Sequence, residues 1–85
     1  MILDGAVIKE QGQTFAVVVV KSQVLNSSEK DEARNIYSNY FRGMPIILMA
    51  QNSSGVPTYY GRHDIVKFLS KIHISQIPWK RHTIN

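Results

Sequence analysis

Short apolar runs separated by polar breaks dominate the first third of the chain. Apolar residues cluster over residues 2–10, and the polar break Gln11-Gly12-Gln13 predicts a turn between two strands. Residues 15–20 read FAVVVV, so every position is apolar, which is typical of a central strand covered on both faces. The pattern therefore predicts a hairpin whose second strand spans about residues 14–21.

The helical period is clearest over residues 28–42. One face of this segment, at i, i+3, i+4, i+7 and i+8, is apolar and carries Ala33, Ile36, Tyr37, Tyr40 and Phe41. Ser28 is a suitable N-cap, and acidic residues 29, 31 and 32 fall in the first turn, where the helix dipole favours negative charge. Gly43 is typical of a position just past a helix end, so we predict a helix over 28–42.

Residues 45–60 repeat the strand pattern, and a second helix follows. Residues 45–50 are apolar on both faces, and the polar loop at 51–55 predicts a hairpin onto residues 56–60. Pro57 lacks a backbone N–H, which favours an edge position for that last strand. Asp64 begins the second predicted helix, whose apolar stripe consists of Ile65, Val66, Phe68, Leu69 and Ile72.

The predicted element order is β-β-α-β-β-α, followed by a C-terminal segment at residues 73–85. This segment is either an extended strand or a tail, and it packs through Ile74, Ile77 and Trp79. A strand-helix-strand connection within one sheet is right-handed, which makes the strands near 14–21 and 45–51 parallel. We therefore predict one α+β domain over 1–85, a two-layer mixed sheet of four to five strands with two helices.

Two of the predicted strands are apolar on both faces, but only two helices are available to cover the sheet. If both helices lie on one face, the other face needs the C-terminal segment or a second subunit as cover. The pattern therefore favours a homodimer, or a tail that folds across the sheet.

The order of elements over residues 43–64 resembles the second half of a thioredoxin-like domain, over about a third of the chain. The likeness is a Pro-led strand, a hairpin strand, a glycine and a helix, carried by Gly43-Met44-Pro45, Gly55-Val56-Pro57, Gly61 and Asp64. It supports the strand-strand-helix interpretation. The chain has no cysteine, so the resemblance implies no redox activity, and disulfides, zinc thiolate sites and thiol catalysis are excluded as well.

The histidines and carboxylates show no catalytic or metal-binding pattern. His63, His73 and His82 lie ten and nine residues apart, whereas metal sites favour closer pairs on one element. Asp64 beside His63 is the only adjacent acid–base pair, and its position in the first turn of a helix explains it equally well. The sequence contains no nucleophile elbow and no phosphate-binding glycine loop. We therefore expect no cofactor, no metal and no enzymatic activity.

Hydrophobic segments long enough to cross a membrane are absent from the sequence. The longest apolar run, Phe15 to Val20, is far shorter than the roughly 20 residues that a spanning helix needs. Residues 1–5 lack the basic region and apolar core of a secretory signal. We therefore expect a cytoplasmic protein that does not act at a membrane.

Positive charge is concentrated in the last third of the chain. The net charge is +4, and residues 59–85 account for all of it. Aromatic and basic residues interleave there and form the predicted binding surface: Tyr59, Tyr60, Arg62, His63, Trp79, Lys80, Arg81 and His82. The leading hypothesis is a small non-catalytic binding or regulatory module for a protein partner or a second copy of the chain. The alternative is a nucleic-acid-binding protein, with cations on phosphates and rings stacked on bases.

Overall fold

Five strands, three α-helices and one 3-10 helix make up the described part of this computed structural model, residues 2–10 and 12–83. In chain order these elements are β1 (Ile2–Glu10), β2 (Gln13–Val19), α1 (Ser22–Leu25), α2 (Lys30–Tyr40), β3 (Ile46–Gln51), β4 (Pro57–Tyr60), α3 (His63–Leu69), the 3-10 helix (Ile74–Gln76) and β5 (Lys80–Thr83). The predicted α+β class with one mixed sheet is confirmed. Gln11, in the predicted first turn, lies outside the described residues.

The strands form one sheet in the order β4-β3-β2-β1-β5. As predicted, β1 and β2 pair antiparallel, β2 and β3 pair parallel, and β3 and β4 pair antiparallel. β5 adds to the free side of β1 in antiparallel register, with Leu3 opposite His82. Pro57 lies on β4 at one edge of the sheet, which is the position that its missing N–H favours.

Each face of the sheet has its own hydrophobic cluster and its own helical cover. The face covered by α1 and α2, here called the α2 face, carries Ala16, Val18, Ile46 and Leu48. The face covered by α3 and the 3-10 helix, here called the α3 face, carries Phe15, Val17, Ile47 and Met49. Successive side chains of a strand point to opposite faces, so the all-apolar β2 and β3 require cover on both sides. The helices therefore lie in separate layers, giving three layers where two were expected.

The first helical cover is built differently from the sequence pattern. Residues 22–25, which follow the predicted strand over 14–21, form the short helix α1, which the pattern did not predict. α2 begins at Lys30 and not at 28, because the hydroxyl of Ser27 accepts the N–H of Glu29 at 3.0 Å and holds the chain in a turn before the helix. Both apolar residues of α1 pack against the α2 face, so burial outweighs the local strand propensity.

The C-terminal segment contributes to both the core and the sheet. Ile77 is buried, and Ile74 and Trp79 pack against the same cluster on the α3 face. His73 caps the 3-10 helix, since its Nδ1 accepts the N–H of Ser75 at 3.1 Å. The segment then forms the strand β5. Residues 84–85, the last two of the predicted segment, lie outside the described part of the chain.

This arrangement removes the reason for which a homodimer was predicted. That prediction assumed that both longer helices share one face, and this assumption is wrong, since α2 and α3 pack on opposite faces. The described chain therefore covers both faces of the all-apolar strands β2 and β3 by itself. Self-association stays a prediction without that support.

Candidate functional site

The structure divides the predicted binding surface into two halves. β4 and β5 are the two opposite edges of the sheet, and four strand spacings of about 4.8 Å put them about 19 Å apart. Tyr59, Tyr60, Arg62 and His63 lie on or directly after β4, whereas Trp79, Lys80, Arg81 and His82 lie on or directly before β5. The eight residues therefore form two separate surfaces.

The two tyrosines of β4 point to opposite faces of the sheet. Tyr59 packs on the α3 face, and its hydroxyl is buried without a hydrogen-bond partner among the described residues. Burial raises the pKa of this hydroxyl, because ionisation in an apolar setting is unfavourable. Tyr60 packs on the α2 face, where it meets α2. Only Tyr60 takes part in a polar cluster.

Tyr60 is held by three charged residues of α2. Its hydroxyl donates to Oδ1 of Asp31 at 2.7 Å, and its ring lies under Nζ of Lys30 at 4.3 Å and Cζ of Arg34 at 5.4 Å. The hydrogen bond raises the pKa of Tyr60, because it holds the neutral phenol, and lowers the pKa of Asp31, because it stabilises the carboxylate. This cluster attaches the first turns of α2 to β4.

Two arginines near this cluster are oriented by carboxylates. Arg34 donates from Nη1 to Asp31 at 3.1 Å and from Nε to the Ile46 carbonyl at 3.0 Å. Arg62 donates from Nε and Nη2 to the two oxygens of Asp64, at 3.2 and 2.7 Å. This bidentate pairing lowers the pKa of Asp64, since it stabilises the carboxylate. Each guanidinium is therefore held in one orientation.

Arg34 and Arg62 line one cleft of about 360 Å³, here called the arginine cleft. The other lining residues are Asp31, Asn35, Ser38, Gly43, Met44, Pro45 and Ile46. On α2, residues 31, 34, 35 and 38 are spaced so that they share one helix face. Gly43, at φ 79°, turns the chain from α2 into β3 and forms the end wall of the cleft.

The arginine cleft has the chemistry of an oxyanion site. Nη2 of Arg34 and Nη1 of Arg62 make no hydrogen bond with any described residue. Guanidinium N–H groups match carboxylate and phosphate oxygens, and the Asn35 amide and Ser38 hydroxyl add further donors. Of the charged residues that line the cleft, Arg34 and Arg62 are positive and Asp31 is negative, so the net charge of the lining is positive.

His63 and Asp64 do not form the acid–base pair that their adjacency suggested. Both oxygens of Asp64 accept hydrogen bonds from Arg62, and His63 is exposed at the first position of α3. His73 caps the 3-10 helix and His82 lies on β5. Among residues 2–10 and 12–83, no group of three or more His, Cys, Asp or Glu side chains could hold a metal ion.

The β5 half of the predicted surface has its aromatic groups turned inward. Nε1 of Trp79 donates to the Ile74 carbonyl at 3.0 Å, and the ring packs against the core. The His82 ring meets Phe41 edge-on at 5.3 Å, and its buried Nε2 has no partner among the described residues. Lys80 and Arg81 are exposed, so cations alone are presented to solvent.

Of the residues that line the arginine cleft, the sequence interpretation included only Arg62. The polar side chains that it missed are those of Asp31, Arg34, Asn35 and Ser38. Asp31 was assigned to helix-start electrostatics, and the other three lie opposite the apolar stripe, where polar residues usually face water. The signal available in the sequence was their spacing, which places these polar residues on one face of the helix. The turn that brings Arg62 beside that face depends on tertiary structure.

Comparisons with known proteins add no family to this geometry. No protein-family model matches the chain, and no curated protein or solved structure shows significant similarity to it. Among the described residues, no helix has the length and apolar character needed to span a membrane. Functional inference therefore rests on the geometry of the site itself.

Proposed function

We propose that this protein is a small, non-catalytic binding module that holds an acidic segment of a partner protein in the arginine cleft. The observation that carries the proposal is the convergence of Arg34 and Arg62 on one cleft, where one guanidinium nitrogen of each bonds to none of the residues that the structure describes. Orientation of both groups before binding lowers the entropy lost on complex formation. A carboxylate of the partner would bridge the two arginines.

The state of the carboxylates supports binding over catalysis. A general acid or base needs a pKa near the operating pH. The pKa values of Asp31 and Asp64 are both lowered from an already acidic ordinary value, the first by Tyr60 and the second by Arg62. Both groups are therefore ionised at neutral pH and serve as fixed partners that orient the arginines.

The position of the aromatic rings favours an acidic protein segment over nucleic acid. Single-stranded nucleic acid gains much of its affinity from bases that stack on open ring faces. The Tyr60 ring already lies under Lys30 and Arg34, and Trp79 is packed and hydrogen-bonded within the chain. Nucleic-acid binding by these residues stays a prediction, and the following experiment separates the two.

The test is fluorescence anisotropy with two labelled probes, a short oligoglutamate peptide and an oligonucleotide in single- and double-stranded form. We expect the peptide to bind, and the double variant Arg34→Gln/Arg62→Gln to weaken binding about tenfold. The matched control is Lys67→Gln/Lys71→Gln, which removes the same charge from two exposed lysines, one on α3 and one in the turn after it. Thermal unfolding of each variant checks that the fold is retained.

Two outcomes would count against the proposal. Equal weakening by the arginine and the lysine variants would mean that net charge alone attracts the peptide. Oligonucleotide binding that falls steeply with salt, without peptide binding, would favour the nucleic-acid function.

A further inference from the structure

We infer that the outer edge of β5 is a second docking site, at which an extended acidic segment of a partner protein adds to the sheet as a sixth strand. This edge lies across the sheet from the arginine cleft. The inference therefore stands independently of the proposed function. It rests on the exposed edge, on a neighbouring groove and on charge.

β5 is the more accessible of the two sheet edges. It pairs with β1 on one side, and no other strand among the described residues pairs with its outer side. Every second residue of such a strand directs its N–H and C=O away from the sheet. β4, at the other edge, begins with Pro57, which lacks an N–H, whereas β5 contains no proline. The Tyr40 hydroxyl reaches only the last carbonyl, that of Thr83, at a long 3.4 Å.

A groove of about 440 Å³ lies beside β5 and can receive a side chain of the added strand. It is lined by Val7, Pro78, Trp79, Lys80 and His82. Val7 lies on β1, next to the edge strand, and is 43% exposed, so the groove has an apolar wall open to solvent. Strand addition typically takes affinity from the main chain and specificity from such pockets.

The charges of β5 select an acidic partner. Lys80 and His82 lie on the α2 face, because His82 is opposite Leu3, and Arg81 therefore points to the α3 face. Nε of Arg81 lies 3.5 Å from Oδ1 of Asp4, but both side chains are largely exposed, so this ion pair is weak. An incoming strand with apolar residues toward the groove and carboxylates toward Arg81 would satisfy both faces.

A second copy of the chain fits this edge less well than an acidic segment does. Self-pairing across a two-fold axis would bring a second Lys80-Arg81 pair beside the first. Like charges on neighbouring strands destabilise the pairing. Lysine and arginine on an edge strand are also a common means of preventing self-association.

The experiment uses the full chain and a labelled peptide of alternating valine and glutamate. Hydrogen exchange should show slower exchange of the outward-facing amides of β5 when the peptide is bound. Two further peptides carry N-methyl groups on the backbone, one at the valine positions and the other at the glutamate positions. Only one of the two should lose binding, since only alternate N–H groups of an added strand face the edge. A peptide with lysine in place of glutamate should not bind.

Variants distinguish this edge from the arginine cleft. We expect Lys80→Glu/Arg81→Glu to weaken binding of the peptide about tenfold or more. Lys67→Glu/Lys71→Glu, with the same charge change on α3 and the turn after it, should have little effect. Arg34→Gln/Arg62→Gln should leave the protection of the β5 amides by this peptide unchanged, even where it weakens binding of an acidic peptide at the arginine cleft, so the two proposals fail separately. If charge reversal unfolds the protein, Lys80→Gln/Arg81→Gln replaces it.

Several results would overturn the inference. Binding that tolerates backbone methylation at both sets of positions would rule out strand addition. Protection confined to α2 would place the peptide in the arginine cleft. If the protein sediments as a dimer and the variant Lys80→Glu/Arg81→Glu sediments as a monomer, the edge would be assigned to a second copy of the chain. If an oligonucleotide protects the β5 amides from exchange and the peptide does not, the edge would be assigned to nucleic acid.

Discussion

Replacement of Leu69 by alanine tests the packing of α3 on the sheet. Leu69 is fully buried, in the same cluster as Ile47 and Met49. The substitution removes three side-chain carbons at about 0.8 kcal/mol each, and the cavity left behind raises the total cost to about 3 kcal/mol. For a domain of this size each kcal/mol lowers Tm by about 4–8 °C. We therefore expect Tm to fall by at least about 12 °C.

The matched control is Ile36→Ala on α2. Ile36 belongs to an apolar helical stripe, as Leu69 does, but its side chain is 55% exposed. Alanine also has the higher helix propensity, so the change in the free energy of unfolding should stay within about 0.5 kcal/mol. Urea unfolding followed by the fluorescence of Trp79, the only tryptophan, measures both variants. Equal costs for the two substitutions would refute the placement of α3 against the sheet.

Two further predictions concern the β4 end of the sheet. Gly61→Ala should destabilise the protein by about 1–3 kcal/mol in urea unfolding. The reason is that a Cβ at this position would lie 2.9 Å from the carbonyl oxygen of Ile46, a backbone atom. An unchanged urea midpoint would contradict this close approach. Tyr60→Phe should raise the pKa of Asp31 toward its ordinary value in a carboxyl NMR titration. The pKa of Asp64, which is lowered by Arg62, should not change and serves as the control. Because the pKa of Asp31 is lowered by folding, its hydrogen bond stabilises the protein above the unfolded pKa of about 3.9, and this contribution is lost as pH falls through the folded pKa. An Asp31 pKa that does not move in the variant would show that the phenol is not its main partner.

The local elements could be predicted well from the sequence because their signals are local. The all-apolar runs at 15–20 and 46–50 form most of β2 and β3, with only Val20 lying just past the end of β2, and both strands are buried on either face. Pro57 marks an edge strand, since a missing N–H has the same consequence in any fold. The stripe on α3 faces the core through Ile65 and Leu69, as its period requires.

The candidate site could be predicted only in part. Tyr60 and Arg62 were among the predicted residues, and both lie at the arginine cleft or in the cluster that holds it. Arg34 has the helical spacing of a solvated face, and nothing local distinguishes such a residue from one that borders a cleft. The α2 stripe was also wider than the buried face, since Ile36 and Tyr40 are exposed. Helical period shows which side chains align, but not how far the neighbouring layer extends.

The sequence by itself determined the alternation of strands and helices, the mixed α+β class and the concentration of positive charge in residues 59–85. Only the tertiary structure decided where these charges lie. Lys80 and Arg81 are on the edge strand β5, whereas Arg62, Lys67 and Lys71 lie across the sheet, after β4 and on or just after α3, because β5 pairs with β1 at the far side from β4. The order of strands depends on hydrogen bonds between segments far apart in the chain. An uninterrupted apolar run indicates that both faces of β2 and β3 are buried, but it carries no information about which helix covers which face.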